Sequence, residues 1–311
     1  MSSATPLPRI AVLLATHNGR EWLPEQLASI LNQRDVDVRV IALDDESTDG
    51  TREWLIEQSA TDARLTVLPS QGRSGGSAPN FYRLLASADY APDELIAFAD
   101  QDDVWVEGKL ARHAALMASG GYDGVSSNVT SFTHDGTRTL VRKNFPQRRF
   151  DYLLESPGPG STFLISYRLA DRAREVLADA EGAARKVDFH DSLLYVIGRA
   201  SGWSWLIDSV SSVDYRQHES NVMGANVGVR SAIARLRLIR GGWFRGHAVA
   251  LARVAMQVAP DGIRPELEKM LSLFEQRGVR ARLRLAGRVG LLRRRVRDQG
   301  IIAVLVLIGV W

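Results

Sequence analysis

The chain has no cysteine among its 311 residues. That excludes disulfides, thiolate-bound zinc and a thiol nucleophile, and it fits a reducing cytoplasm. No G-x-G-x-x-G fingerprint and no G-x-x-x-x-G-K-[ST] loop occurs, so neither a dinucleotide fingerprint nor a P-loop is expected. The start, MSSATPLPRI, lacks a charged segment followed by an apolar run, so no signal peptide is expected. The final apolar run, Ile301 to Trp311, is 11 residues long. A spanning helix needs about 20, so this run does not cross a bilayer. No internal repeat is visible.

What is present is ordinary in amount and uneven in placement. Hydrophobic residues make up 45% and charged residues 24%, as in a globular protein. The length suits one large domain with an appendage, or two modest domains. The net charge of +3 divides sharply: residues 230–311 hold 17 Lys+Arg against 5 Asp+Glu, a net of +12, which leaves −9 for residues 1–229. An acidic body with an arginine-rich tail suggests two jobs, with an anionic surface as the tail's partner. The expected division is a body at 1–228 and a basic amphipathic helical region at 229–311.

The first 120 or so residues alternate strand and helix signals. IAVLLAT (10–16), VRVIALDD (38–45), LTVLP (65–69) and DELIAFAD (93–100) are apolar runs of buried-strand length. Between them, EWLPEQLASILNQ (21–33) sets Leu23, Leu27, Ile30 and Leu31 on one helical face, with Pro24 tolerable in the first turn. STDGTREWLIEQ (47–58) has cap residues before a helix, and VEGKLARHAALMA (106–118) continues as one. Such alternation predicts an α/β fold with a parallel sheet covered on both faces. Farther on, GVSSNVTSF and STFLISY look like strands, DFHDSLLYVIGRA like a helix, and the last 80 or so residues carry only helical patterns.

In parallel sheets ligands bind beyond the carboxyl ends of the strands. That rule selects Thr16-His17-Asn18, Asp44-Asp45 and Asp100 to Asp103. The acids of FADQDDVW stand close enough to repel. Oxygen ligands at a strand end suit Mg2+ or Mn2+ bridging protein and diphosphate; the alternative is a solvated turn, with Asp103 capping the next helix. In LDDESTDGT an acid could accept from a base N–H or a ribose hydroxyl, or the stretch could be a capped turn.

VLLATHNGREWLPEQLASILNQ, VIALDDESTDGT and FADQDDVW, in that order and spacing, resemble the family 2 inverting glycosyltransferases of the GT-A fold. The resemblance covers roughly residues 9–225. Downstream, FHDSLLYVIGRASG and YRQHESNVMG are similar to the bacterial rhamnosyltransferase-like branch that builds surface polysaccharides. It implies a Rossmann-like, mostly parallel sheet with helices on both faces, plus the C-terminal helical region. It also implies roles. His17 would stack on the nucleotide base, with Ala15, Thr16 and Asn18 shaping the pocket. Asp45 would bond the base, with Asp44 beside it. Asp100 and Asp102 would be the DxD pair around Gln101, Asp102 binding the metal directly. Asp191 would be the catalytic base, and His218 a further metal or diphosphate contact.

The chemistry agrees with this division. In an inverting transfer a hydroxyl attacks the anomeric carbon as a diphosphate leaves, and a divalent cation neutralises the charge that develops. The acceptor hydroxyl loses its proton to a carboxylate separate from the metal cluster. Without the resemblance, Asp191 would be read as an N-cap for SLLYVIG. His190 stands where many relatives carry an acid, which suggests that it orients the base or the acceptor. Arg216 is either a diphosphate contact or one half of a surface ion pair. PGPGST (157–162) is either an acceptor-side loop or a plain turn.

In the tail, RSAIARLRLIRGGWFRGHAVALARVAM (230–256) and RARLRLAGRVGLLRRRVRDQGIIAVLVLIGVW (280–311) interleave arginine with apolar residues. Basic amphipathic helices of this type lie in membrane interfaces; the alternative is a homodimer interface or a packed subdomain. Nucleic acid is not an expected partner, because the body is acidic and no reader motif occurs. The function expected is transfer of a sugar such as rhamnose from a nucleotide diphosphate sugar to a glycan or lipid-linked glycan, in the cytoplasm or on the inner face of the plasma membrane. The alternatives are a metal-dependent nucleotidyltransferase and a non-catalytic nucleotide-sugar-binding protein.

Overall fold

The computed structural model describes residues 6–218 and 241–311. Four strands run parallel in the order β3 (Leu65–Val67), β2 (Asp37–Asp44), β1 (Arg9–Thr16) and β4 (Leu95–Asp100). The sheet then continues through β8 (Leu164–Ile165), which is antiparallel to β4 and to its next neighbour β6 (Gly124–Phe132). β9 (Trp205–Arg216) lies parallel to β6, and β5 (Val104–Trp105) closes the path antiparallel to β9. β7 (Arg138–Val141) pairs with β6 off this path. The expected parallel sheet is therefore only half of the molecule's nine-stranded mixed sheet.

Alternation along each strand divides the apolar side chains between two cores. Ile10, Val12 and Leu14 of β1 join Val38, Val40 and Ala42 of β2 under one helical layer; Ala11, Leu13 and Ala15 join Ile41 and Leu43 under the other. The first layer is α1 (Leu23–Leu31), α2 (Thr51–Ser59) and α4 (Lys109–Gly120). The second is α3 (Ser77–Ser87), α5 (Tyr167–Leu177) and α6 (His190–Ala200). In α1, Leu23, Leu27 and Ile30 are buried as the spacing predicts, and Pro24 sits in the first turn.

The C-terminal helices extend that second core. They are α7 (Trp243–Val258), α8 (Arg264–Glu275), α9 (Val279–Ala286), α10 (Val289–Leu292) and α11 (Val296–Leu307). Leu251, Leu267, Leu285, Leu292 and Val306 belong to one apolar cluster with Phe81, Phe163 and Leu193 of the body. The packed alternative for the tail thus describes these helices. The 228/229 boundary and the stretch 230–240 lie outside the described residues.

Two boundaries differ from expectation. α4 begins at Lys109 rather than Val106, because Val106 still donates to the Ser212 carbonyl (3.1 Å) and Gly108 turns the chain through a left-handed φ of 76°. Asp103 therefore does not cap it. STFLISY forms only a two-residue strand. Gly160–Thr162 makes a tight turn before it, and the Ser166 hydroxyl accepts from the Leu169 amide (3.3 Å) to start α5 after it.

Candidate active site

The strand register gathers the three polar clusters. Thr16 lies opposite Asp44, and Ala15 opposite Asp100. Both aspartates thus stand at the carboxyl edge, one on each side of β1.

In the cluster around Asp44 and Asp45 most polar atoms bind one another. Asp44 is buried and accepts from Thr16 Oγ1 (3.0 Å), the Ser47 amide (2.9 Å) and Ser47 Oγ (2.5 Å). Asn18, at a left-handed φ of 50°, accepts the Thr48 amide (2.8 Å) and offers its own to Ser47 Oγ (2.8 Å). His17 Nδ1 meets the Asp45 carbonyl at 2.9 Å, which orients the ring. Asp45 itself accepts the Ser74 amide and faces Arg83 at 3.7 Å. The Gly/Ser loop before α3 therefore closes over this acid.

Gln101 spans the first and third clusters. Its Oε1 accepts the His17 amide (2.7 Å) and its Nε2 donates to the His17 carbonyl (2.8 Å). Gln26 of α1 donates to the Asp100 carbonyl at 2.8 Å. The acidic loop is thus held at the Asp100 carbonyl by Gln26 and through its own Gln101 side chain by His17.

Among the acids themselves, burial, then Asp102 and Asp191, push the Asp100 carboxyl up to about 7. Asp103 is fully buried and raised well above the carboxylate range, first by burial and then by Asp102 and Asp100. Asp102 meets His218 Nε2 at 2.8 Å, and Trp22 stacks on the His218 ring at 4.3 Å and 14°. Arg216 donates from Nε to the Asp102 carbonyl (2.9 Å) and pairs through Nη2 with Glu25 (2.5 Å). Among the described residues no group of three or more His, Asp or Glu side chains forms a cation cage.

Asp191 faces this cluster from the first turn of α6. It does not cap the helix, whose N-cap is Phe189. Its Oδ1 accepts the Ser192 amide at 2.5 Å. Burial raises its pKa; Ser156, Ser192 and the Lys143 ammonium oppose the rise. His190 points the other way. It is packed at 3.8 Å on Phe81 and 5.7 Å from Phe98, and a Cβ on Gly160 would sit 1.9 Å from its Nε2. Burial pulls its pKa down to about 3, and its ring packs against Phe81. Gly160 of PGPGST allows this close approach.

A family model described as glycosyl transferase family 2 matches residues 11–175. The chain belongs to that family. The transferase is 36% identical over 240 residues to dTDP-rhamnosyl transferase RfbG of Shigella flexneri, covering 77% of this chain and 83% of that protein. It is 25% identical over 158 residues to a UDP-Glc:alpha-D-GlcNAc-diphosphoundecaprenol beta-1,3-glucosyltransferase, WfgD of Escherichia coli, covering 50% of this chain and 59% of that one. Among solved structures it resembles S. aureus TarS 1-349 in complex with UDP-GlcNAc, with a TM-score of 0.58 at 19% identity over 97% of this chain and 81% of that one. It also resembles the mannosyltransferase PcManGT from Pyrobaculum calidifontis in complex with GDP-Man and Mn2+, with a TM-score of 0.56 at 18% identity over 98% and 86%. The fold is GT-A, and the sugar-transfer expectation stands over the nucleotidyl-transfer one.

Several groups around the transferase's cleft escaped the sequence. Arg83, Lys143 and Ser156 lie outside the quoted motifs; Arg83 is delivered by α3, and Lys143 and Ser156 by the segments that follow β7. Burial and the nearby Arg294 lower the Lys143 ammonium's pKa, against the pull of Asp191 and Glu155.

Proposed function

We propose that this transferase moves rhamnose from dTDP-rhamnose to a hydroxyl of a lipid-linked glycan, with inversion, in cell-surface polysaccharide synthesis. The observation that carries the chemistry is the separation of roles among the acids. Asp102 is paired with His218, while Asp191 stands near Asp100, its pKa raised by burial against the opposing Ser192 and Lys143. A base must be free of the cation that binds the leaving group, and Asp191 meets that need. The 36% identity to a dTDP-rhamnosyl transferase supports the donor.

The residues fit Mg2+ or Mn2+. Burial, with Asp102 and Asp191 adding to it, holds Asp100 up at about 7, a cost that a cation among the carboxylates would offset, and the Asp102 carboxylate with the His218 imidazole nitrogen would leave further positions for diphosphate oxygens. Asp102 and His218 would hold the ion, which would neutralise charge on the departing diphosphate. Ala15, Thr16, His17, Asn18 and Asp45 would bind the nucleoside, with Asp44 and Gln101 holding that loop in shape. Asp191 would take the acceptor proton.

The C-terminal helices would rest on an anionic membrane surface. Arg297, Ile301 and Val304 of α11 and Ile308 just after it recur at helical spacing and are exposed, and Val279 and Leu283 of α9 are exposed nearby, interleaved with Arg280 and Arg284. Among the described residues no helix is long and apolar enough to cross a membrane. Thermal-shift screening against dTDP-, UDP- and GDP-sugars, with and without Mn2+, tests donor and metal together. A metal-dependent shift with dTDP-rhamnose is expected; a larger one with another donor rules rhamnose out. Asp191→Asn is expected to stop transfer while donor affinity stays near normal.

A further inference from the structure

A cavity of about 420 Å³ opens between the first turns of α7 and α9 and the residues that follow α11. Small-ligand sites span about 300–1,000 Å³. Its wall carries three arginines: Arg245 of α7, Arg282 of α9 and Arg277 just before α9. Among the described residues none of the three pairs with a carboxylate, and Arg245 Nε is buried without a hydrogen-bond partner. They face one another instead. Burial, then Arg277 and Arg282, pull the Arg245 pKa below its ordinary value. Both helices begin at this wall uncapped. Gly242 and Gly278 stand at their N-termini, no side chain bonds the first amides, and no acid occupies either first turn. Free amides and the helix dipole make such ends favourable to anions. The Arg282 guanidinium lies against Gly309, where a Cβ would collide with it. Trp311, also on the wall, packs on Phe244 (5.1 Å, 77°), and its buried Nε1 has no partner either. Trp243, in the first turn of α7, donates Nε1 to Asp188 Oδ2 (2.6 Å), which fixes this helix end on the body.

We infer that this cavity is a phosphate site, and that its occupant is the headgroup phosphate of a membrane lipid. Like charges gathered without a counter-charge oppose folding, and a phosphate among them reverses that cost. Guanidinium forks match phosphate oxygens in pairs, and two helix ends add backbone donors. The rim around the arginines is apolar. Val279 follows Gly278, Leu283 follows Arg282 and Ile308 precedes Gly309, and all three are exposed. A free phosphate makes no use of such a rim, whereas a lipid lays its chain across it. The choice of a lipid rests on the membrane reading of α9 and α11; the arginines and helix ends do not. That reading asks only for diffuse attraction to an anionic surface, while this cavity tells a phosphate from other anions.

The test compares flotation on phosphatidylcholine vesicles that carry phosphatidic acid or, at matched surface charge, cholesteryl hemisuccinate, a carboxylate. The native chain is expected to prefer phosphatidic acid about tenfold, and Arg245→Gln and Arg282→Gln to lose that preference, as removal of a charge-assisted contact does. Arg280→Gln, on α9 but off the cavity wall, removes the same charge and is expected to keep it. Equal binding to the two lipids, or the same loss in Arg280→Gln, overturns the inference alone. Failure to float on either lipid overturns the membrane reading with it. Melting temperature identifies a merely structural arginine. Relief of repulsion predicts an unchanged or higher value in Arg245→Gln, and a clear fall overturns the site. Inorganic phosphate separates the two sources. A rise in melting temperature with phosphate that Arg245→Gln abolishes, without any preference for phosphatidic acid, assigns the cavity to free phosphate and overturns the lipid.

Discussion

His218 Nε2 sits 2.8 Å from Asp102 Oδ2, across 116 residues of sequence, with the Trp22 ring stacked on its other side. β9 delivers the histidine to the acidic loop because β5, just after Asp102, pairs with that strand's end. Replacing His218 with alanine removes both contacts. Mn2+-dependent affinity for dTDP-rhamnose is expected to fall about tenfold or more by calorimetry, with metal-free affinity little changed. Equal losses with and without Mn2+ would place His218 on the donor rather than the ion.

Gly160 lies under His190 with no room for a methyl group. Gly160→Ala is expected to destabilise the fold by about 1–3 kcal/mol in urea denaturation, as overpacking does. Combined with His190→Ala, the loss should be smaller than the sum of the two, because the clash is gone. Additive losses would show that the histidine is not what fills that space.

Glu94 is buried at 2% exposure and takes Arg39 in a two-pronged contact at 2.7 and 2.8 Å. That bond, foremost among the causes, holds its carboxyl below the ordinary value of 4.5. The stabilisation is therefore complete above the unfolded value and is lost as pH falls through the lower folded one. Glu94→Gln is expected to cost about 1–2 kcal/mol at pH 7, the gap to the native chain closing below about pH 4.5. A gap of constant size at every pH refutes the assignment.

The membrane proposal is tested on the exposed stripe rather than by truncation, since Leu285, Leu292 and Val306 of the same helices are core residues. Ile301→Ser with Val304→Ser and Arg297→Glu is expected to release the protein from phosphatidylglycerol vesicles in flotation while its melting temperature holds. Continued flotation would leave the stripe to a second copy of the chain, read by sedimentation.

The parallel half of the fold was legible because β1, β2 and β4 are apolar on both faces, a pattern few other structures produce. In the other half GVSSNVTSF was legible as β6, whereas β9 and β5 were not. β6 and β9 bury Ser126, Ser127, Asn128 and Ser212, and they are held by pairs such as Ser127 with Ser212 (2.6 Å) and Trp205 Nε1 with Ser126 (3.0 Å). Cross-strand hydroxyl pairing leaves no hydrophobic period to read. The site divides the same way. Asp45, Asp100 and Asp102 announce themselves at strand ends, whereas Arg83 gains meaning only from its contact with Asp45, a residue of a distant segment. The packing of His190 on Phe81 and Phe98 was not legible, because those aromatic neighbours are distant in sequence.

The Gln101 side chain gives His17 both hydrogen bonds that a neighbouring strand residue would. Two strand-end loops are thereby knit as if the sheet ran one step farther. They form a single rigid jaw: whatever seats against His17 finds the acidic loop already at a set distance. Little ordering entropy is then left to lose on that wall when a ligand arrives.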